Sequence, residues 1–200
     1  KDEINSALNG TGSAIEINEN GIKIPSGTVL DLGSVGKGIA CDEVRGVLEN
    51  SKIKRAVVSV GGSILIYGEG EKFTVGIRDP FSESSTESFA VLTLPATCVS
   101  TSGSDERYFD RDGVRYHHIL DPKTGYPAES GLVSVTVVCS DGFMSDALST
   151  ACFVLGYEKS LPLLEKYGAQ AVFVFNDRSV RVTGSLADSF KLEKDGFKLL

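Results

Sequence analysis

Residues 133–156 constrain the fold more than any other stretch. The run Val133-Ser134-Val135-Thr136-Val137-Val138-Cys139 has the β-branched density of a buried strand. It leads almost directly into Phe143-Met144-Ser145-Asp146-Ala147-Leu148-Ser149-Thr150-Ala151-Cys152-Phe153-Val154-Leu155-Gly156, a helix of about three turns stopped by its final glycine. Leu148, Ala151, Cys152 and Leu155 recur at helical spacing and predict one buried face. Asp146 and Thr150 stand one turn apart, so they stack on another part of the helix surface, as partly exposed side chains. Two readings of that pair are open. A carboxylate and a hydroxyl so placed are hard oxygen ligands, which Mg²⁺ accepts while keeping waters and substrate phosphates in its remaining positions. Alternatively, Ser145 or Asp146 caps the helix and Thr150 bonds a carbonyl one turn back.

A glycine loop precedes an earlier helix. The short apolar piece Val29-Leu30-Asp31-Leu32 runs into Gly33-Ser34-Val35-Gly36-Lys37-Gly38, followed by a helix expected from about Ile39 to Glu49. Its core face is Ile39 or Ala40, Val44, Val47 and Leu48. Glycines let a backbone approach a ligand closely, and a helix N-terminus offers unpaired N–H groups to an anion. The spacing is not that of a phosphate-binding Walker loop, so a structural turn accounts for the bare pattern equally well. Lys37 has two readings, a phosphate contact and a solvated lysine, and the second is the safer one.

The remaining elements are mostly strands. Residues 14–18 and 22–24 form a hairpin through Asn20-Gly21. Residues 55–60 read as a buried strand that 64–67 continue, and 73–77 and 89–94 are further strands around a polar excursion at 82–88. Residues 158–167 form a helix with Leu161, Leu164 and Glu165 on its packed face and Pro162 in its first turn. Residues 171–175 form a buried strand, 180–182 follow a turn, and 189–192 and 197–199 close the chain as edge strands. Hairpins with interposed helices indicate an α+β fold with mixed or antiparallel sheets and packed helices, in one domain over residues 1–200.

Composition narrows the function classes. A formal net charge of −7 argues against a nucleic-acid surface. Cys41, Cys98, Cys139 and Cys152 are scattered, and the chain has only 2 histidines, so no zinc-binding spacing arises and the cysteines read as buried free thiols. No apolar run reaches membrane-spanning length. The chain begins at Lys1, not Met, so the lack of a targeting segment carries no weight.

The third candidate stretch is Arg115-Tyr116-His117-His118-Ile119-Leu120-Asp121-Pro122-Lys123-Thr124-Gly125-Tyr126-Pro127, which ends in a tight turn. Adjacent histidines on extended chain point to opposite faces, so at most one lines a given site. The other is structural.

Taken together the stretches resemble the ApbE family of flavin transferases (FAD:protein FMN transferases), whose fold is T-fold-related. The resemblance rests on Asp31-Leu32-Gly33-Ser34-Val35-Gly36-Lys37-Gly38-Ile39-Ala40-Cys41-Asp42, Val60-Gly61-Gly62-Ser63, Ser100-Thr101-Ser102-Gly103, His118-Ile119-Leu120-Asp121-Pro122-Lys123-Thr124-Gly125 and Asp146-Ala147-Leu148-Ser149-Thr150-Ala151, in that order. It implies Mg²⁺-dependent cleavage of FAD, with FMN joined to a Thr or Ser hydroxyl of a target protein and AMP released. By matching position, Asp146, Thr150 and the carbonyl of Gly36 would hold the metal. His118 would be the base on the acceptor hydroxyl. Gly33, Ile39, Thr101, Ser102, His118 and Ile119 would border FAD, and His117 is left structural. Ser34, Gly36 and Ile39 depart from the Gly, Ala and Tyr frequent in the family. The family's N-terminal portion, which supplies much of the FAD pocket, lies ahead of the part matched here. The resemblance also implies a bacterial envelope location through an N-terminal lipoprotein anchor, with a cytoplasmic location left open. Two other outcomes are carried forward: an FAD pyrophosphatase using water, and a flavin-binding module without turnover.

Overall fold

The computed structural model describes residues 2–8 and 15–200; Ala14, the first residue of the expected N-terminal hairpin, lies outside them. A seven-stranded sheet organises the chain. Its order is β14 (Lys198–Leu199), β12 (Ser179–Val182), β11 (Gln170–Phe175), β10 (Leu132–Cys139), β7 (Thr97–Gly103), β4 (Ser63–Gly68) and β3 (Arg55–Val60). Every pairing is antiparallel except β12 with β14, so the sheet is mixed.

Alternation along the central strands assigns the two faces. Val135, Val137, Ala171 and Phe173 point to one side, where they pack with Leu148, Cys152, Phe153 and Leu164 of helices α3 (Gly142–Leu155) and α4 (Tyr157–Lys166). Val99, Val172, Val174 and Val180 point to the other, under a three-stranded sheet of β5 (Phe73–Arg78), β6 (Ser88–Leu94) and β13 (Phe190–Leu192). Burying both faces explains why the central strands read as continuous apolar runs. Helix α2 (Gly36–Glu49) lies beside α3 and covers Leu65 and Cys98 through Cys41 and Leu48. Two small hairpins stand apart from the main sheet, β1 (Glu16–Asn18) with β2 (Gly21–Lys23) and β8 (Tyr108–Arg111) with β9 (Val114–His117). A short N-terminal helix α1 (Asp2–Leu8) completes the described elements. Among the described residues no helix is long and apolar enough to cross a membrane.

The α+β class and the mixed or antiparallel sheets stand as expected, and the four cysteines are free and buried. Several finer expectations do not stand. Residues 55–60 are half-exposed because β3 is the sheet edge, and 64–67 turn back as its hairpin partner across Gly61-Gly62, both at positive φ. Val29, Leu30 and Leu32 are exposed and form no core. Val47 is 69% exposed and Ile39 is on the surface too, because the close approach of α3 turns Gly38, Cys41, Leu48 and half-buried Val44 inward instead. Leu155 is exposed at the end of α3. Helix α4 begins one residue earlier than expected, which puts Pro162 in its second turn, and Glu165 is exposed while Ser160 and Leu164 are buried.

Candidate active site

Helices α2 and α3 cap one another. Helix α2 has no side-chain cap of its own at Val35. The missing acceptor comes from α3, where Asp146 Oδ2 takes the Gly38 N–H at 3.0 Å. In return Asp42 of α2 accepts the N–H groups of Gly142 and Phe143 at 2.9 and 2.7 Å, and Asp141 accepts that of Met144 at 2.8 Å. Carboxylates thus satisfy the otherwise orphaned donors of two helix starts, each supplied largely by the neighbouring helix. The capping alternative is overturned in both parts: neither Ser145 nor Asp146 caps α3, and Thr150 bonds Ser102 and not a carbonyl one turn back. Asp146 is a cap, but of α2, and α3 is capped by Asp141.

The expected partial exposure of Asp146 is overturned. Its side chain is 0% exposed, because a glycine at 38 lets α2 close over it. Oδ1 has no hydrogen bond of acceptable angle, yet the Lys37 ammonium stands 2.9 Å away, an ion pair off the hydrogen-bonding direction. Lys37 also donates to the Gly33 carbonyl at 3.3 Å, so it is not the free solvated lysine expected.

A chain of hydroxyls joins α3 to β7. Ser149 Oγ donates to the Asp146 carbonyl at 2.8 Å, and Ser102 Oγ lies 2.8 Å from Ser149 and 3.0 Å from Thr150 Oγ1. Each hydroxyl has one proton. With that of Ser149 spent on a carbonyl, Ser102 must donate to Ser149, and Thr150 must donate to Ser102. Thr150 Oγ1 is left as an acceptor only, with its lone pairs free.

These observations test the fit of a divalent cation. A buried carboxylate oxygen without a hydrogen bond and a hydroxyl oriented as an acceptor lie one helical turn apart, beside the first turn of α2 where Gly36 sits. Hard oxygens of this kind suit Mg²⁺. Among the described residues no group of three His, Cys, Asp or Glu side chains gathers anywhere, so a cation here would need substrate oxygens or water to complete its shell. The residues fit.

The other expected site residues divide. Ser102 faces α3, but its neighbour Thr101 faces the opposite side of β7, bonded to Thr136 at 2.9 Å. There Thr101 borders a cavity of about 350 Å³ with Gly61, Gly62, Arg78 and Glu106. Gly33 and Ile39 are exposed at the mouth of α2. The Ile119 side chain is buried with Leu148 and Cys152, so it reaches a ligand only through its backbone. A larger hollow of about 700 Å³ at the Thr97 end of β7 contains none of the expected residues.

The two histidines separate as alternation requires. His118 is exposed, while His117 is buried with its ring edge-on to Phe153 at 5.5 Å. Both nevertheless border an aromatic cavity of about 470 Å³ lined by Tyr108, Phe109, Tyr116 and Tyr126, so the expectation that at most one lines a given site does not stand. Among the described residues no hydrogen bond or ion pair links His118 to Asp146, Lys37 or Thr150.

Burial pushes the His117 imidazole below its ordinary 6.5, and His118 and Arg115 nearby push the same way against a bond with the Ala128 backbone. The unfolded chain therefore binds a proton below pH 6.5 that the folded one refuses. Stability should fall as pH drops through that window, and His117→Gln should flatten the fall in urea unfolding measured between pH 7.5 and 5.5. An unchanged slope would remove His117 as its source.

Sequence alone assigns no role to Asp42 and favours a solvated Lys37. The available signal was spacing: Asp42 lies one turn after Gly38 on the same face of α2, and Lys37 sits in the first turn beside the glycine that meets α3.

The sequence model of the ApbE family matches residues 1–173. The chain belongs to the ApbE family. Among similar curated proteins, the FAD:protein FMN transferase of Treponema pallidum is 40% identical over 84% of this chain and 49% of its own length. That of Klebsiella pneumoniae is 35% identical over 87% and 54%. The chain thus spans about half the length of these relatives. The crystal structure of the ApbE protein of Thermotoga maritima superposes with a TM-score of 0.83 at 33% identity, covering 94% of this chain and 63% of that one. The apo flavinyl transferase ApbE of Pseudomonas stutzeri gives 0.76 at 30%, covering 96% and 62%. This ApbE-family chain therefore keeps the α+β fold of its relatives through helix α3, which carries Asp146 and Thr150.

Proposed function

We propose that this chain carries Mg²⁺-dependent transfer of the FMN moiety of FAD to a Thr or Ser hydroxyl of a target protein, with release of AMP. The observation that carries the reading is the buried Asp146 oxygen without a hydrogen bond, next to a Thr150 hydroxyl held as an acceptor. Membership of a family whose curated relatives are named FAD:protein FMN transferases supports it.

In this reading Asp146, Thr150 and the Gly36 carbonyl hold the cation, which supplies charge neutralisation as the phosphoanhydride breaks. Ser102 keeps Thr150 in its accepting orientation. Gly33, Ile39, Thr101 and the Ile119 backbone border FAD. His118 takes the proton of the acceptor hydroxyl, whose oxygen forms a bond to the FMN phosphorus. The bridging P–O bond breaks and its electron pair leaves with AMP. Exposure of His118 beside an aromatic cavity leaves room for a protein segment to bring that hydroxyl in. Envelope placement through an N-terminal anchor belongs to the same proposal.

The test is AMP release from FAD and Mg²⁺ by the full-length gene product, with and without a Thr-containing acceptor peptide. Acceptor-dependent AMP and a peptide heavier by FMN are expected. His118→Ala should slow transfer at least 100-fold, an effect on the order of general-base catalysis, while FAD still binds. AMP without acceptor would replace the transferase by a pyrophosphatase. FAD binding without AMP would leave a binding module.

A further inference from the structure

We propose that Lys37 is the internal counter-ion of Asp146 while no cation is bound, and that it surrenders this carboxylate to the divalent cation and turns to the substrate phosphates. The inference rests on the Mg²⁺ reading above.

The Asp146 carboxylate is sealed from water, and its one fixed donor, the Gly38 N–H, serves Oδ2. Oδ1 would otherwise stand as an uncompensated buried charge. Lys37 compensates it without a directed hydrogen bond and from the edge of the site. Its side chain is 30% exposed, and its stem passes Gly61 and Gly62, where a Cβ would meet Lys37 Cδ at 3.7 Å and Cε at 4.0 Å. Those positions have no side chain to grip it. A lysine is a mobile point charge on a four-carbon stem, so the ammonium can swing away by side-chain torsions while the core stays in place. Gly38, by contrast, is locked into the contact between helices.

Charge favours the exchange. A Mg²⁺ ion sits about 2.0–2.1 Å from its oxygens. Bound at Oδ1, it would compete for the space of an ammonium now 2.9 Å from the same atom, and the two cations would repel at short range. That repulsion drives the ammonium out. The negative charge available to it is that of the phosphates that complete the cation's shell. Cation and substrate binding are thereby coupled: the cation alone must displace Lys37, whereas with FAD present the displaced ammonium gains a new partner.

The test uses calorimetric titration of Mn²⁺ into the full-length protein with and without FAD. Lys37→Met should bind Mn²⁺ alone more tightly, on the order of tenfold, because the internal competitor is gone. The further tightening that FAD produces in the unmodified protein should shrink in this variant. Unchanged or weaker Mn²⁺ binding by Lys37→Met overturns the proposal, since a purely structural lysine could only loosen the site when lost. Asp146→Asn separates the two readings. If it retains Mn²⁺ binding, the metal assignment itself falls; if it loses binding while Lys37→Met is unaffected, only the counter-ion role falls. Should Lys37→Met fail to fold, reductive ¹³C-methylation of the unmodified protein gives a second readout. The Lys37 signal, identified by its loss in Lys37→Arg, should move on addition of Mg²⁺. A signal that stays put at saturating Mg²⁺ overturns the exchange.

Discussion

Asp146→Ala should abolish the proposed Mg²⁺-dependent turnover and, in the same protein, loosen the fold by about 2–3 kcal/mol. Both losses come from one carboxylate. Oδ2 holds the Gly38 N–H at 3.0 Å at the start of a helix without another side-chain cap, and Oδ1 pairs with Lys37 at 2.9 Å. Removing a helix cap costs about 1 kcal/mol. Breaking a buried ion pair typically costs about 3–5 kcal/mol when the surviving charge stays buried, but Lys37 can turn to water, so the loss falls below that range, to about 1–2 kcal/mol. Asp146→Asn divides the two functions. Its amide oxygen can still accept from Gly38, so urea unfolding should show a loss of about 1 kcal/mol, while Mn²⁺ binding is lost as completely as in the alanine variant. Equal destabilisation by Ala and Asn would mean that charge, not the cap, holds the helices. Undiminished turnover in either variant would dismiss Asp146 as a ligand.

This dual role marks what the sequence could and could not disclose. The helix at 143–156 was legible because local signals agree, helical spacing and a glycine at its end, realised as Gly156 at φ 79°; its cap was not, being Asp141 and not Ser145 or Asp146. The hairpin through Asn20-Gly21 was legible for the same reason, whereas that of β3 with β4 looks in sequence like one continuing strand; alternation put the two histidines on opposite faces. Asp146 itself was misplaced because periodicity locates a residue on its own helix and is silent about which neighbour covers it. The covering depends on Gly38 and Gly142, residues 104 positions apart whose meeting no local pattern announces. Residues 55–60 failed for a related reason. Ala56, Val57 and Val58 look like a central strand, and only the order of the seven-stranded sheet makes them an edge. In the candidate site, residue types pointed to the ligands, but the proton direction through Ser149, Ser102 and Thr150 needed the distances.

Gly38→Ala should unfold the protein about 10 °C lower, a size corresponding to a net loss of about 3 kcal/mol in a domain of this length. In an ordinary exposed helix the same substitution stabilises by about 1 kcal/mol, because alanine loses less backbone freedom on folding than glycine. Here the new Cβ would stand 2.8 Å from Asp146 Cβ and would press into the Gly142 carbonyl as well. The carbonyl is backbone, so no rotamer relieves the clash. The approach is equally tight from the other side, where a Cβ on Gly142 would lie 2.6 Å from the Gly38 oxygen. Relief requires α2 to move off α3, which would stretch the bond from the Gly38 N–H to Asp146 and those from Gly142 and Phe143 to Asp42. Metal affinity should therefore fall with stability, although residue 38 has no side chain to offer a cation. Gly46→Ala supplies the internal control: it lies on the same helix, a Cβ there would meet nothing within 4 Å, and the substitution should raise the melting temperature by a few degrees. Calorimetric melting of the two variants should thus give opposite signs from one substitution on one helix. If both stabilise, α2 and α3 are not in contact at Gly38, and the enclosure of Asp146 that supports the cation site has no structural basis.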